Sequence, residues 1–193
     1  MNKLDNATYN NKIKSQSFLL DSNKNIWLNK NAITKDDNGF HSFHLEWEKM
    51  ESAKSYAIML LDYEASRVIG QNFVHWSAAN IKNNSISHKS NIVDSHLMVQ
   101  GVNSTCPSQT DNNKGVIIEC IPGAFKSPHF EASIGYFPPM PPDKPHLYQI
   151  RIYGLDVENL DLKNGFFLGD LFNKMTGHVV GVHTLNFWSN GDK

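Results

Sequence analysis

Residues 135–155 read GYFPPMPPDKPHLYQIRIYGL, and the fold can be worked out from this stretch. Its first half is rich in proline. Because proline fixes φ and has no backbone N–H, this part forms a stiff loop that cannot lie inside a β-sheet. The second half, from His146, has the side-chain alternation of a strand. The sequence therefore predicts a rigid loop that leads directly into a strand.

Two polar aromatic residues stand at the start of that strand. His146 and Tyr148 share one face, because successive side chains of a strand point to opposite sides. They lie at the strand end that adjoins the proline loop. A histidine and a tyrosine held beside a fixed loop indicate a small polar site.

Length and charge limit what the chain can be. Its 193 residues suffice for one sizeable domain, and a hydrophobic content of 40% is ordinary for a globular protein. The net charge of −1 offers no basic surface for nucleic acid or an anionic membrane. No apolar run approaches the roughly 18 residues of a membrane span. Residues 1–16 are polar and lack the apolar segment of a signal peptide, so a cytoplasmic protein with a flexible N-terminal tail is expected.

The two cysteines, Cys106 and Cys120, lie in one irregular segment. A disulfide between them is geometrically conceivable, but a reducing compartment favours two free thiols.

Hydrophobic patterning predicts that strands dominate the fold. Ser55–Leu61 is apolar throughout, which is typical of a central strand buried on both faces. Phe73–Ile81 is the next strand, and in it His75 shares a face with Phe73, Ser77 and Ala79.

One helix is predicted near the C-terminus. Apolar residues recur at helical spacing over residues 167–175, and Gly177 suits the position just past a helix end. A final strand follows at residues 178–188. Many short strands, one late helix and frequent turns indicate an all-β fold with minor α, as a sandwich with an added helix.

Four residues could carry chemistry: Asp62, His75, His146 and Tyr148, each at the end of a predicted strand or early in one. A carboxylate, two imidazoles and a phenol are costly to bury unless they bond to one another or to a ligand. If they meet, Asp62 would orient one imidazole and leave a donor-rich pocket for an anion such as phosphate. The alternative is that each is an isolated, partly exposed polar residue.

Other chemistries have less support. Two histidines and one aspartate could form a facial metal triad, but the chain has no His-x-x-x-His or Cys-x-x-Cys pair, so no metal or cofactor is predicted. It also has no Gly-x-Ser-x-Gly elbow and no Gly-x-x-x-x-Gly-Lys loop, so an enzyme is not expected.

Several motifs in order resemble those of the phosphatidylethanolamine-binding protein family, in particular its bacterial Raf-kinase-inhibitor-like branch. The segments that carry the resemblance are SFHLEW at 42–47, DYEAS at 62–66, HWSAAN at 75–80, GYFPPMPP followed by HLY at 135–148, and GHVVG at 177–181. The corresponding family patterns are Ser-Pro-x-Leu-x-Trp, Asp-Pro-Asp-Ala-Pro, His-Trp-x-x-x-Asn, Gly-Tyr-x-Gly-Pro-x-Pro-Pro with His-x-Tyr, and Gly-His-Val-Leu-Ala. The match spans roughly residues 17–188.

The resemblance implies an antiparallel β-sandwich of the Greek-key type with a C-terminal helix and an anion pocket at one end of the strands. Residues 17–193 would form this single domain, with an insertion at about 104–130. Carried over onto this sequence, the ligand-binding residues are Asp62, His75, Tyr136, Pro138, Pro139, Met140, Pro141, His146 and Tyr148. One departure concerns Pro138, which stands where the family has a glycine that can offer an N–H.

The expected function is a non-enzymatic binding protein for a phosphate-like anion, either a phospholipid head group or a phosphorylated ligand. His75 and His146 would donate to its oxygens, and Tyr148 would add a hydroxyl. Regulation by binding or inhibiting a partner protein, and a homodimer, are left open. The alternatives are an acid–base hydrolase or isomerase that uses the Asp/His pocket, and a protein-interaction module that works through residues 104–130.

Overall fold

The computed structural model of the protein describes residues 12–107 and 126–190. In these ranges the strands are β1 (Ile13–Lys14), β2 (Phe18–Leu20), β3 (Ile26–Leu28), β4 (Lys35–Asp36), β5 (Gly39–Phe40), β6 (Leu45–Trp47), β7 (Ser55–Asp62), β8 (Phe73–Ile81), β9 (Ser85–Ile86), β10 (Val99–Gln100), β11 (His146–Leu155) and β12 (Val179–Ser189). The helices are α1 (Ser66–Ile69), α2 (Ser90–Val93) and α3 (Leu168–Met175), with 3₁₀ turns at Lys30–Ala32, Ser95–Leu97 and Glu131–Ser133.

In the described residues two main sheets build the domain, and β4 and β5 form a separate two-stranded sheet. Seven strands form the large sheet in the order β10-β8-β7-β11-β12-β3-β2, and β1, β6 and β9 form a small one. Paired strands in the described residues are antiparallel, except that β3 and β12 run parallel at Trp27 and Trp188. The predicted class, all-β with minor helix, is confirmed. The parallel pair was not predicted, because side-chain alternation along a strand does not show the direction of the neighbouring strand.

The core covers both faces of the large sheet. β7 is buried at every position, as its unbroken apolar sequence predicts. On one face Ile58 forms a cluster with Trp47 of the small sheet. On the other face Met59 forms a cluster with Leu171 of α3. Both alternating sets of side chains along β7 therefore have to be apolar, because each face of the strand packs against a different layer.

The predicted helix is confirmed as α3. Leu171 and Met175 are the buried residues of the helix. At its N-terminus, Asp170 accepts a hydrogen bond of 2.9 Å from the backbone N–H of Phe167. Gly177 follows the helix with φ of 85°, a left-handed conformation that glycine adopts without strain.

The expected tail and insertion are described only in part. In the tail, Ile13 and Lys14 form β1 and pair with Trp47 and Glu46, whereas residues 1–11 lie outside the described residues. Residues 108–125 of the insertion also lie outside them, together with Cys120. Cys106 is buried, with a free thiol. None of the helices in the described ranges has the length and hydropathy needed to span a membrane.

Candidate functional site

The two central strands bring the predicted site residues to one end of the large sheet. β7 ends at Asp62 and β11 begins at His146. Because these strands run antiparallel, the end of one meets the start of the other, and Asp62 lies directly opposite Tyr148. A carboxylate, an imidazole and a phenol from distant segments therefore share one place.

Asp62 and His146 form a buried pair. Asp62 Oδ2 lies 2.7 Å from His146 Nδ1, and the two residues are only 3% and 1% exposed. The other carboxylate oxygen, Oδ1, accepts a hydrogen bond of 3.0 Å from the backbone N–H of Ala65. Both oxygens of Asp62 are thus engaged, and the carboxylate holds the ring of His146 in one orientation, as predicted from the residue types.

The second nitrogen of His146 is also engaged by a carboxylate. His146 Nε2 lies 2.8 Å from Asp143 Oδ1, and the side chain of Asp143 is 46% exposed. An ionised carboxylate only accepts hydrogen bonds, so a ring nitrogen of His146 that bonds to one donates its N–H. Burial raises the pKa of Asp143, but hydrogen bonds from the backbone N–H groups of Lys144 and Asp143 and from His146 outweigh it and lower this pKa below the usual value.

His75 reaches the site through a β-bulge in β8. Leu60 pairs with Trp76 and Leu61 pairs with Val74, which leaves His75 as an extra residue between the two pairs. Its ring lies 4.5 Å from that of Phe73, between ring centroids, so the predicted shared face with Phe73 is confirmed.

The other part of that prediction is wrong. Ala79 belongs to the cluster beneath α3, whereas the ring of His75 packs at 5.2 Å against Tyr148, which belongs to the core between the sheets. The bulge breaks the strict alternation on which the prediction rested.

Burial keeps His75 neutral. It lowers the pKa of the ring to about 4, and the nearby Asp62 carboxylate offsets only part of this effect. His75 Nδ1 lies 3.0 Å from the carbonyl oxygen of Phe137 and donates to it, so in the neutral ring Nε2 is an acceptor. The expected donation from His75 to a ligand oxygen therefore does not fit this state, because the single N–H already has an acceptor.

Tyr148 brings an unused hydroxyl to the site. The residue is 1% exposed, and its Oη makes no hydrogen bond of standard geometry to a described residue, although the Asp62 carboxylate lies nearby. Burial, reinforced by the Asp62 carboxylate, raises the pKa of Tyr148 above its ordinary value. The phenol therefore stays protonated and can donate to a ligand.

These residues surround a small cavity of about 50 Å³. Its walls are mostly apolar. The lining residues are Asp62, Ala65, Val68, Ile69, Phe73, His75, Phe137, Met140, Pro141, Pro142, His146 and Tyr148.

Comparison with known families gives a match to one of them. A sequence model of that family, the phosphatidylethanolamine-binding proteins, matches residues 21–188. The chain belongs to the phosphatidylethanolamine-binding protein family. The resemblance predicted from the motifs is thereby confirmed.

Relatives of the family come from bacteria and archaea. YxkA of Bacillus subtilis is 31% identical over 149 residues, covering 76% of this chain and 79% of its own length. A UPF0098 protein of Methanothermobacter thermautotrophicus is 29% identical over 138 residues, covering 71% of this chain and 74% of its own. Family membership supports a ligand-binding protein in general terms.

Two solved family structures share the fold. The phosphatidylethanolamine-binding protein homologue CT736 of Chlamydia trachomatis superposes with a TM-score of 0.63 at 22% identity, covering 91% of this chain and 94% of its own. YbcL of E. coli, a member of the mammalian family by its description, superposes with a TM-score of 0.62 at 18% identity, covering 92% and 96%.

The acidic segment after β7 departs from the family pattern at Glu64. Glu64 Oε2 accepts a hydrogen bond of 2.7 Å from the backbone N–H of Leu147. Glu64 also forms ion pairs with Arg67 and Lys144. Although the segment lacks both prolines of the family pattern, these contacts tie it to the start of β11.

The proline loop is held from two sides. The Phe137 N–H donates to the His75 carbonyl oxygen at 2.8 Å, and Ser189 Oγ donates to the Pro139 carbonyl oxygen at 2.7 Å. Of the two N–H groups between Phe137 and Pro142, only that of Met140 lacks an acceptor among the described residues. Between Phe137 and Pro142, the Met140 N–H is therefore the backbone donor that has no described acceptor.

The structure gathers most of the predicted ligand-binding residues around the cavity, but not all. Tyr136, Pro138 and Pro139 do not line it. Tyr136 lies in the core, where its ring packs edge-on against Trp76 and Phe43. Pro139 instead helps to hold the loop, because its carbonyl oxygen accepts the hydrogen bond from Ser189 Oγ.

Sequence reasoning missed the apolar wall and the second carboxylate. Val68 and Ile69 come from α1, a single helical turn too short for a periodicity signal. Asp143 stands three residues before His146, and that short spacing at the start of a strand was the available signal. Within the described ranges no cluster of three or more His, Cys, Asp or Glu residues could hold a metal ion.

Proposed function

We propose that this protein is a non-enzymatic binding protein whose cavity takes a phosphate-like anion, from a phospholipid head group or from a small phosphorylated molecule. The observation that carries this proposal is the bond between His146 Nε2 and the Asp143 carboxylate at 2.8 Å. His146 lines the cavity, and its buried Nε2 already lies within hydrogen-bond distance of an anionic oxygen, so this nitrogen suits the oxygen of an anionic ligand.

The other free donors support the same ligand class. The Tyr148 hydroxyl and the Met140 N–H both belong to cavity-lining residues, and neither has a partner in the described structure. Together with His146 they provide three donors, and a phosphoryl group carries enough oxygens to accept from all of them. Asp62 would orient His146 without touching the ligand.

The size of the cavity limits which part of a ligand enters. A volume of about 50 Å³ is far below the roughly 300–1,000 Å³ of sites that enclose a drug-sized ligand. We therefore expect only the phosphoryl end to enter, while the rest of the molecule stays outside.

The arrangement does not favour acid–base catalysis. Both nitrogens of His146 are held by carboxylates, and His75 is neutral with its N–H committed to Phe137. Neither ring is bonded to a serine, threonine or cysteine nucleophile in the described residues, so nucleophilic catalysis of the Ser–His type has no support there. Regulation of a partner protein and a homodimer remain predictions from the sequence.

The test is a titration followed by histidine side-chain NMR. Inorganic phosphate, phosphoethanolamine and glycerophosphoethanolamine are added to millimolar concentration, and the last two distinguish a free monoester from a lipid-like diester. We expect the ring signals of His146 to shift in a saturable way and the affinity to be lost in His146→Gln.

A matched control is available. His178 is paired with Asp156 at 2.9 Å, but both side chains are more than two-fifths exposed. His178→Gln should bind the anions as the wild type does. If His146 does not respond to any of the three ligands at millimolar concentration, the anion site does not exist.

A further inference from the structure

We propose that Asp143 is a built-in competitor for the anion site, so that an anionic ligand binds His146 only by exchange with the Asp143 carboxylate. This inference rests on the proposed function and names the residue that sets the affinity of the site for its anion. The chemistry it selects is an oxyanion that can make more contacts in the cavity than one carboxylate oxygen makes with His146.

The geometry of the two residues carries the inference. The ring of His146 is 1% exposed and fixed from behind by Asp62. The side chain of Asp143 is 46% exposed and meets the ring from the solvent side. The carboxylate of Asp143 can therefore turn toward solvent, whereas the ring of His146 is held in place. Because Nδ1 is bonded to Asp62, Nε2 is the ring nitrogen that a ligand could reach.

The short connection between them gives Asp143 an advantage. Asp143 is three residues from His146 in the chain, and a group held by so short a connection competes at an effective concentration in the millimolar range or above. The apparent affinity of any ligand is its intrinsic affinity multiplied by the fraction of molecules in which Asp143 has left the site. Weak monodentate anions, such as acetate, are then excluded at ordinary concentrations.

A phosphoryl group has the means to overcome this competition. Asp143 bonds to the site through one oxygen, whereas a phosphoryl group can accept from His146, from Tyr148 and from the Met140 N–H. The last two donors have no partner in the described part of the chain while Asp143 is in place. A tetrahedral oxyanion thus gains contacts that Asp143 does not make.

Besides the bond to His146, the Asp143 carboxylate accepts hydrogen bonds from the backbone N–H groups of Asp143 and Lys144, which are contacts within its own turn. Its neighbour Lys144 is paired with Glu64 at 3.8 Å rather than with Asp143. The start of β11 is held by the bond between Glu64 and the Leu147 N–H at 2.7 Å. Removal of the Asp143 side chain should therefore leave the strand and the loop in place.

The experiment compares the wild type with Asp143→Ala, Asp143→Asn and the control Asp161→Asn. The control removes the same charge from a side chain that is 95% exposed and paired with Lys174. Binding of inorganic phosphate is measured by calorimetry and by the ring signals of His146, after circular dichroism and urea unfolding have verified the fold. Acetate is titrated in parallel.

We expect Asp143→Ala to bind phosphate at least about tenfold more tightly than the wild type, because the competitor is absent. Asp143→Asn should fall in between, since a neutral amide oxygen accepts a weaker hydrogen bond. Asp161→Asn should match the wild type. Acetate should shift the His146 signals in Asp143→Ala but not in the wild type, which a purely structural role of Asp143 would not produce.

Two failures are distinguishable. If the wild type and a folded Asp143→Ala bind phosphate equally, or the variant binds more weakly, the exchange is wrong and the anion site stands. If neither protein binds phosphate or acetate, the anion site itself is wrong, and the exchange falls with it.

Discussion

Asp62 and His146 are 84 positions apart in the chain, and in the folded protein Asp62 Oδ2 lies 2.7 Å from His146 Nδ1. The end of β7 and the start of β11 are neighbours in the large sheet, and this adjacency creates the contact. Removing one partner of a buried pair destabilises the folded state, because the remaining polar group is buried without water or a bonding partner. The pair therefore links the stability of the sheet to the geometry of the cavity.

The first prediction concerns the strength of this pair. Asp62→Asn should lower the free energy of unfolding by about 3 kcal/mol, because it leaves the buried His146 ring without its charged partner. Asp156→Asn is the matched control, since Asp156 also bonds to a histidine, at 2.9 Å, but near the surface. That variant should lose less than about 1 kcal/mol. Urea unfolding measures both, and equal losses would contradict the prediction.

The second prediction concerns acid. The unfolded chain protonates His75 below about pH 6.5, whereas the folded protein does so only near pH 4. Between these values the unfolded state binds more protons, so stability falls as the pH falls. His75 should contribute a loss of about 3 kcal/mol over this window. His75→Gln should flatten the curve of unfolding free energy against pH by that amount, and identical curves for variant and wild type would refute it.

The third prediction separates binding from stability at two buried tyrosines. Tyr148→Phe removes a hydroxyl that has no partner among the described residues, so unfolding free energy should change by less than about 1 kcal/mol while phosphate affinity falls about tenfold. Tyr56→Phe is the converse control. The Met50 N–H donates to Tyr56 Oη at 3.3 Å, so this variant should lose stability and keep its affinity. Calorimetry and urea unfolding check both variants, and an unchanged affinity in Tyr148→Phe would remove that hydroxyl from the site.

The fourth prediction concerns close packing beside the large sheet. A Cβ on Gly101 would lie 2.7 Å from Phe166 Cε2 and 2.8 Å from the Phe166 carbonyl oxygen. Gly101→Ala should therefore lower the unfolding free energy by about 2 kcal/mol. Gly169 in α3 has nothing within 4 Å of the same position, and Gly169→Ala should raise it by about 0.5 to 1 kcal/mol. Opposite thermal shifts are expected, and a neutral Gly101→Ala would show that Phe166 moves freely.

Much of the fold could be predicted because it follows from periodicity. The unbroken apolar run Ser55–Leu61 has to be covered on both faces, and the structure covers both with different layers. The helical spacing of apolar residues over 167–175 likewise predicts a helix with one buried side, and in α3 that side packs against the large sheet. The parallel contact of Trp27 with Trp188 could not be predicted, because no local pattern records which strand becomes a neighbour.

The sequence by itself determined the central strands, the late helix and the polar residues that meet at one end of the sheet. It did so because burial of a face leaves a repeat in the chain, and because motifs in order define a family. Only the tertiary structure decided what those residues do to one another. The bulge that turns His75 toward Tyr148 and the neutral state of His75 depend on burial and on charges brought together across the fold, and these have no counterpart in any local pattern. The short spacing of Asp143 and His146 is visible in the sequence, but only the folded turn shows that the two side chains bond.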